Sequence, residues 1–197
     1  MTRRILSKDV NVFCPQMFLW DSKRFGSWGL ERNNYNNALR PLGSSIAAME
    51  IDGLMKYVDW LVSQPYIDPE RIGMIGLSYG GFYTLYLAAL DERIKAVLCS
   101  CYFNNKLRYN STDWTWDGSS NIFGDAEIAA IIAPRKLWIQ VGDNDELFNV
   151  RSAEKEYCRL QKLYAPHENL KFEIFPGVHE FGKSDDGIDY VVKSLRE

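Results

Sequence analysis

Gly76-Leu77-Ser78-Tyr79-Gly80 lies between a short apolar run, Ile72 to Leu77, and a helix-like segment, Phe82 to Leu90. A chain that turns at once from strand to helix must hold the residue at the tip in a strained backbone conformation. Side chains two positions to either side would collide across such a turn, so Gly76 and Gly80 suit its flanks. A serine presented this way is a candidate nucleophile. The backbone N–H of Tyr79, at the helix start, is the candidate donor to a developing oxyanion. By chance the pattern arises in roughly one chain of this length in ten to twenty, so its weight rests on its context and on downstream partners.

A serine nucleophile needs a base, and the base needs an acid to orient it. The chain holds two histidines. His167 lies in a polar connector, Ala165 to Asn169, and reads as an exposed residue. His179 follows Phe175-Pro176-Gly177-Val178, directly after an alternating strand-like segment, at the sheet end where α/β active sites form. For the acid, Gly142-Asp143-Asn144-Asp145 follows the apolar run Leu137 to Val141. Asp145 stands clear of the strand and within reach of a histidine, whereas Asp143 is close enough to the strand end to bond its own turn. The reading favours Asp145 and keeps Asp143 as the alternative. Ser78, His179 and Asp145 would then act as nucleophile, base and orienting acid, with no metal or organic cofactor.

The elements that must position these residues alternate between strand-like and helix-like, as in an α/β sheet. Val10 to Cys14 reads as a buried strand ended by Pro15, and Thr2 to Lys8 as the end of a helix before it. A long loop, 16–44, follows. Ile46 to Ser63 is an amphipathic helix with Ala47, Ile51, Leu54, Val58 and Leu61 on one face. Strands are expected over Ile72 to Leu77, Ile94 to Ser100, Lys136 to Val141 and Leu170 to Phe175. Helices are expected over Phe82 to Leu90, Val150 to Leu163 and Ile188 to Leu195. A polar, aromatic loop spans 104–124. The two long loops are expected around the active site, with Trp20, Trp28, Trp114 and Trp116 as candidates for a substrate-pocket wall.

The 197 residues suit a single domain, and 46% hydrophobic with 25% charged residues is ordinary for a globular chain. A net charge of -3 offers no field for nucleic acid or an anionic membrane. No apolar stretch has the length of a membrane span, and the start does not read as a signal peptide. The cysteines, with Cys14, Cys99 and Cys101 in or beside apolar runs, read as buried thiols of a reducing, cytoplasmic compartment. Asn110-Ser111-Thr112 matches a glycosylation sequon that this setting would leave unused.

With GLSYGG, FPGVHEF and IAPRKLWIQVGDNDELF in view, the chain resembles the α/β-hydrolase superfamily over roughly residues 8 to 195. It looks like the dienelactone-hydrolase-related and acetyl-xylan-esterase-like group, and more loosely like the prolyl-oligopeptidase catalytic domain. Dienelactone hydrolases proper carry a cysteine nucleophile, so Ser78 aligns this chain with the serine esterases. The resemblance implies a three-layer fold with a mostly parallel sheet and helices on both faces. It also implies the chain order Ser, Asp, His.

The family's elbow strand is the fifth of eight. Here Val10 to Cys14 would be the fourth, which leaves the fold N-terminally shortened, without its first three strands. The loop after the third, which supplies a second oxyanion donor in the family, has no glycine-rich equivalent upstream of Val10. Three explanations stay open: a fragment of a longer protein, a natural short form whose fourth strand pairs directly with the fifth, or a homo-oligomer that covers the exposed edge. The expected activity is cleavage of small-molecule carboxylic esters through an acyl-enzyme. The alternatives are a serine peptidase of prolyl-oligopeptidase type and a catalytically silent binding module.

Overall fold

The computed structural model describes residues 1–17, 30–108 and 119–197. Among these residues four runs rich in Ile, Val and Leu form a sheet: β1 (Ile72–Leu77), β2 (Ile94–Ser100), β3 (Lys136–Gly142) and β4 (Leu170–Phe175). All pair in parallel in the order β1-β2-β3-β4. A parallel sheet takes cover on both faces, and the strand residues divide with period two. Val97, Cys99, Leu137, Ile139 and Val141 enter the larger core cluster, while Ala96 and Leu98 enter a smaller one on the other face.

Among the described residues the helices are α1 (Thr2–Leu6), α2 (Leu30–Leu39), α3 (Ile46–Val62), α4 (Tyr79–Leu90), α5 (Asp125–Ala130), α6 (Val150–Leu163) and α7 (Asp186–Ser194). Apolar residues of α3, α4, α5 and α6 join the larger cluster, and Ile188, Val191 and Val192 of α7 fill the smaller one. Ser45 caps α3 by accepting the Ala48 N–H at 3.0 Å, and Asn149 caps α6 by accepting the Ser152 N–H at 3.2 Å. The result is the three-layer α/β-hydrolase arrangement. No helix among the described residues is long and apolar enough to cross a membrane.

Two expectations near the start of the chain are corrected. Val10 to Cys14 forms no ladder, so it does not pair with β1, whose partner among the described strands is β2. Phe13 instead lays its ring against Tyr57 (5.3 Å between centroids) and Trp60 (5.8 Å) of α3. Aromatic contact with a helix takes the place of backbone pairing, which leaves Cys14 exposed; Cys158, on α6, is exposed too, and Cys99 and Cys101 are buried. The segment 16–44, read as a loop, contains α2 and a 3-10 turn at Arg40–Leu42.

At the N-terminal end of the sheet, Arg135 gathers the chain. Its guanidinium donates to the carbonyls of Asp91 (3.1 Å), Ile94 (2.8 Å) and Ile132 (3.1 Å). On the larger-cluster side, Asp125 is buried at the start of α5, where it accepts the Asn104 N–H at 3.0 Å and faces Lys106 at 3.6 Å.

Candidate active site

Ser78 follows β1 and precedes α4 with φ 58° and ψ -119°, a conformation costly for a residue with a Cβ. Its N–H donates to the Ser100 carbonyl at 2.9 Å, and its carbonyl accepts the Phe82 N–H at 3.0 Å as the helix begins. Gly76 is required there: a Cβ would stand 2.0 Å from the Gly80 carbonyl oxygen and 2.5 Å from Thr84 Oγ1. Gly80 is not required in the same sense, because a Cβ on it would meet nothing within 4 Å. The second close approach falls on Gly81, where a Cβ would lie 2.9 Å from that of Tyr102. The expectation of two flanking glycines thus holds at Gly76 and is corrected at Gly80.

β3 delivers both candidate acids. The Asp145 carboxylate is wholly buried. One oxygen accepts the N–H groups of Leu147 (2.8 Å) and Phe148 (2.9 Å), which fixes the side chain. The other lies 2.9 Å from Nδ1 of His179. Asp143 accepts the Gly177 N–H at 2.9 Å, so it ties down the loop that carries the histidine rather than the ring itself.

That loop passes directly over the end of β3. A Cβ on Gly142 would come within 2.5 Å of the Val178 carbonyl oxygen, so only glycine allows the crossing. His179 is half-buried, and its Nε2 lies 2.8 Å from Ser78 Oγ. The Phe148 ring stacks on it, 5.5 Å between centroids and 24° from parallel. Further along, Arg4 of α1 donates to the Gly182 carbonyl (2.6 Å) and to the Asp185 carboxylate (2.7 Å). Lys8, at 2.9 Å, and then Arg4 hold the Asp185 carboxyl below the usual carboxylate range. Residues 78, 145 and 179, read separately from the sequence, are therefore one hydrogen-bonded chain at the C-terminal ends of β1, β3 and β4. Such a chain can draw a proton from Ser78 Oγ to Nε2 while the carboxylate holds Nδ1–H. His167 is exposed and apart from it.

Sequence reasoning missed the support under the elbow. Arg32 of α2, 2% exposed, donates to both carboxylate oxygens of Glu50 (2.7 and 2.8 Å) and to the Tyr83 hydroxyl (3.2 Å). Tyr83 in turn donates to Glu50, and burial pushes its phenol pKa far up, so it stays protonated. The guanidinium also lies 5.5 Å from the centroid of the Tyr79 ring. An arginine in a polar, Asn-rich segment carried no periodic signal. A lone glutamate on the apolar stripe of α3 was the available clue. Trp20, Trp28, Trp114 and Trp116, singled out for a pocket wall, lie outside the described residues.

The sheet, the elbow and this geometry define an α/β-hydrolase fold. Within it the chain belongs to the prolyl oligopeptidase family, whose pattern matches residues 26–195. It is 31% identical over 131 residues to "Putative hydrolase YtaP" of Bacillus subtilis, an alignment covering 62% of this chain and 44% of that one. It is 28% identical over 140 residues to "Uncharacterized peptidase YuxL" of the same organism, covering 62% and 21%. The chain thus spans less than half the length of these curated relatives. Among solved structures, it is similar in fold to a carbohydrate esterase family 15 glucuronoyl esterase from Caldicellulosiruptor kristjansonii. The TM-score is 0.64 at 19% identity, over 78% of this chain and 51% of that one.

Proposed function

We propose that this chain is a serine hydrolase that cleaves carboxylic esters through an acyl-enzyme. The observation that carries the reading is the unbroken chain Ser78 Oγ, His179, Asp145, with links of 2.8 and 2.9 Å. Ser78 Oγ attacks the acyl carbon while Nε2 of His179 takes its proton. The Tyr79 N–H, at the start of α4, faces the developing oxyanion. The imidazolium protonates the departing alkoxide. Water, deprotonated by the same nitrogen, then releases the acid and restores Ser78. Asp145 holds the ring tautomer throughout. Four free cysteines suit a reducing, cytoplasmic setting.

Family membership favours a second reading, a peptidase acting on short peptides. The two differ in the leaving group, an alkoxide against an amine. The test has two stages. Fluorophosphonate labelling of wild type beside Ser78→Ala asks whether the serine is activated. Turnover of short-chain acyl p-nitrophenyl esters against aminoacyl p-nitroanilides then separates the readings. No labelling of folded wild type would overturn both and leave the fold a silent binding module. Turnover of the anilides alone would overturn the ester reading.

A further inference from the structure

Cys101 follows β2 in a left-handed conformation, φ +48°, that residues bearing a Cβ adopt rarely. Two bonds hold it there: its N–H donates to the Gln140 carbonyl at 2.9 Å, and its thiol donates to the Glu180 carbonyl at 3.2 Å. The thiol is thereby fixed beside the residue next to His179. Among the described residues, one ligand atom each from Cys101, Asp145 and His179 lie within 4.8 Å of one another.

Thiolate, imidazole and carboxylate together are the donor set of zinc, with Zn–S about 2.3 Å and Zn–N or Zn–O about 2.0–2.2 Å. Tetrahedral bonds of those lengths separate ligand atoms by about 3.3–3.6 Å. The three side chains are therefore close enough that modest rotations would let them close on one ion. Cys101 and Asp145 are buried, but His179 is only half-buried and opens the way from solvent.

We propose that Cys101 Sγ, Asp145 and Nδ1 of His179 form an inhibitory site for a zinc-class divalent cation. The proposal rests on the hydrolase reading of Ser78. Binding releases one proton, from the Cys101 thiol, while the neutral ring moves its own proton from Nδ1 to Nε2 as the metal takes Nδ1. With Nδ1 bonded to the metal, a neutral ring carries its remaining proton on Nε2. Nε2 then cannot accept the proton of Ser78. The block thus follows from where the ring proton sits, even if the ring stays in place, and the loss of the Asp145 contact to Nδ1–H adds to it. The fourth position falls to water, as in sites with three protein ligands.

The test uses the full chain, stripped with a chelator, in a Cys14→Ser, Cys158→Ser background that removes both exposed thiols. Calorimetry with Zn2+ is expected to give one site. Co2+ is expected to give a thiolate-to-cobalt charge-transfer band. Cys101→Ala should weaken binding by at least the 10–100-fold that loss of an outer-shell partner costs, and should abolish the band. Saturating Zn2+ should slow fluorophosphonate labelling of Ser78 at least tenfold, reversed by chelator, and should do so far less in Cys101→Ala. Each rate is compared with that of the same variant without metal. Absence of binding, binding unchanged in Cys101→Ala, or labelling indifferent to bound zinc would each overturn the proposal. Should Cys101→Ala not fold, the band in the background protein decides alone: retained in Cys99→Ser it supports Cys101, and absent it overturns the site. Failure of Ser78 to label without metal would sink the hydrolase reading, while a thiolate-bound metal would still stand.

Discussion

Asp143 and Asp145 hold one loop at two points in register: Asp143 Oδ1 accepts the Gly177 N–H at 2.9 Å, and Asp145 Oδ2 lies 2.9 Å from Nδ1 of His179. One residue separates the acids and one separates their partners. The pair works as a double clasp in which only the second grips the imidazole.

The two acids should therefore respond differently to the same change. Asp145→Asn can turn an amide N–H toward Nδ1 and select the wrong tautomer, so kcat should fall about 10³–10⁴-fold. Asp143→Asn keeps an amide oxygen for Gly177 and should cost less than about tenfold. Steady-state kinetics on whichever acyl substrate turns over would check this, and equal losses would contradict the assignment.

The elbow glycines should part company as well. Gly76→Ala places a Cβ 2.0 Å from the Gly80 carbonyl oxygen, so folding should be impaired by about 3 kcal/mol or more. Gly80→Ala has open space within a helix, and should be neutral or stabilising by up to about 1 kcal/mol. Urea unfolding midpoints of the two variants would show the contrast.

Arg32→Met leaves the Glu50 carboxylate buried without its cation, and should destabilise by about 3–5 kcal/mol. Arg32→Lys should recover little, since an ammonium cannot reproduce the two-pronged bond to Glu50. Chemical denaturation, with fluorophosphonate labelling alongside, would also report whether the packing of Tyr79 reaches Ser78.

Burial raises the Asp125 carboxyl from its ordinary 3.8 to about 6, against the opposing pull of Lys106. Between those values the folded chain holds a proton that the unfolded chain has released. This contribution favours folding at low pH and is lost as pH rises through about 6. Relative to Asp125→Asn, wild-type stability should therefore decline between pH 4 and 7. Paired urea titrations across that range would test it, and a constant difference would refute it.

The strands Ile72–Leu77, Ile94–Ser100 and Leu170–Phe175 and the helix Val150–Leu163 keep the bounds read from sequence, because dense apolar runs and a clean amphipathic period need no distant information. Ser78, Asp145 and His179 were legible for a related reason: each sits at a fixed offset from the end of such a run. What escaped depended on contacts far along the chain. α2 is short of apolar periodicity and rich in asparagine, and its anchor is Arg32 reaching Glu50 eighteen positions on. Phe13 found a helix instead of a sheet edge, which no local pattern at Val10 to Cys14 could announce. Gly80 and Gly142 exchanged importance, since the crossing of the histidine loop over β3 exists only in three dimensions.

The Arg135 clamp and the Ser78–His179–Asp145 chain occupy opposite ends of the same parallel strands. Diversity can therefore accumulate at one end while the other keeps the strands in register. A library randomised in the loop after β2, which leaves Ser78, Asp145 and His179 untouched, would explore new specificities on an unaltered chassis, whereas one randomised around Arg135 would mostly sample foldability. The molecule is divided into a part that can be rewritten and a part that must be copied.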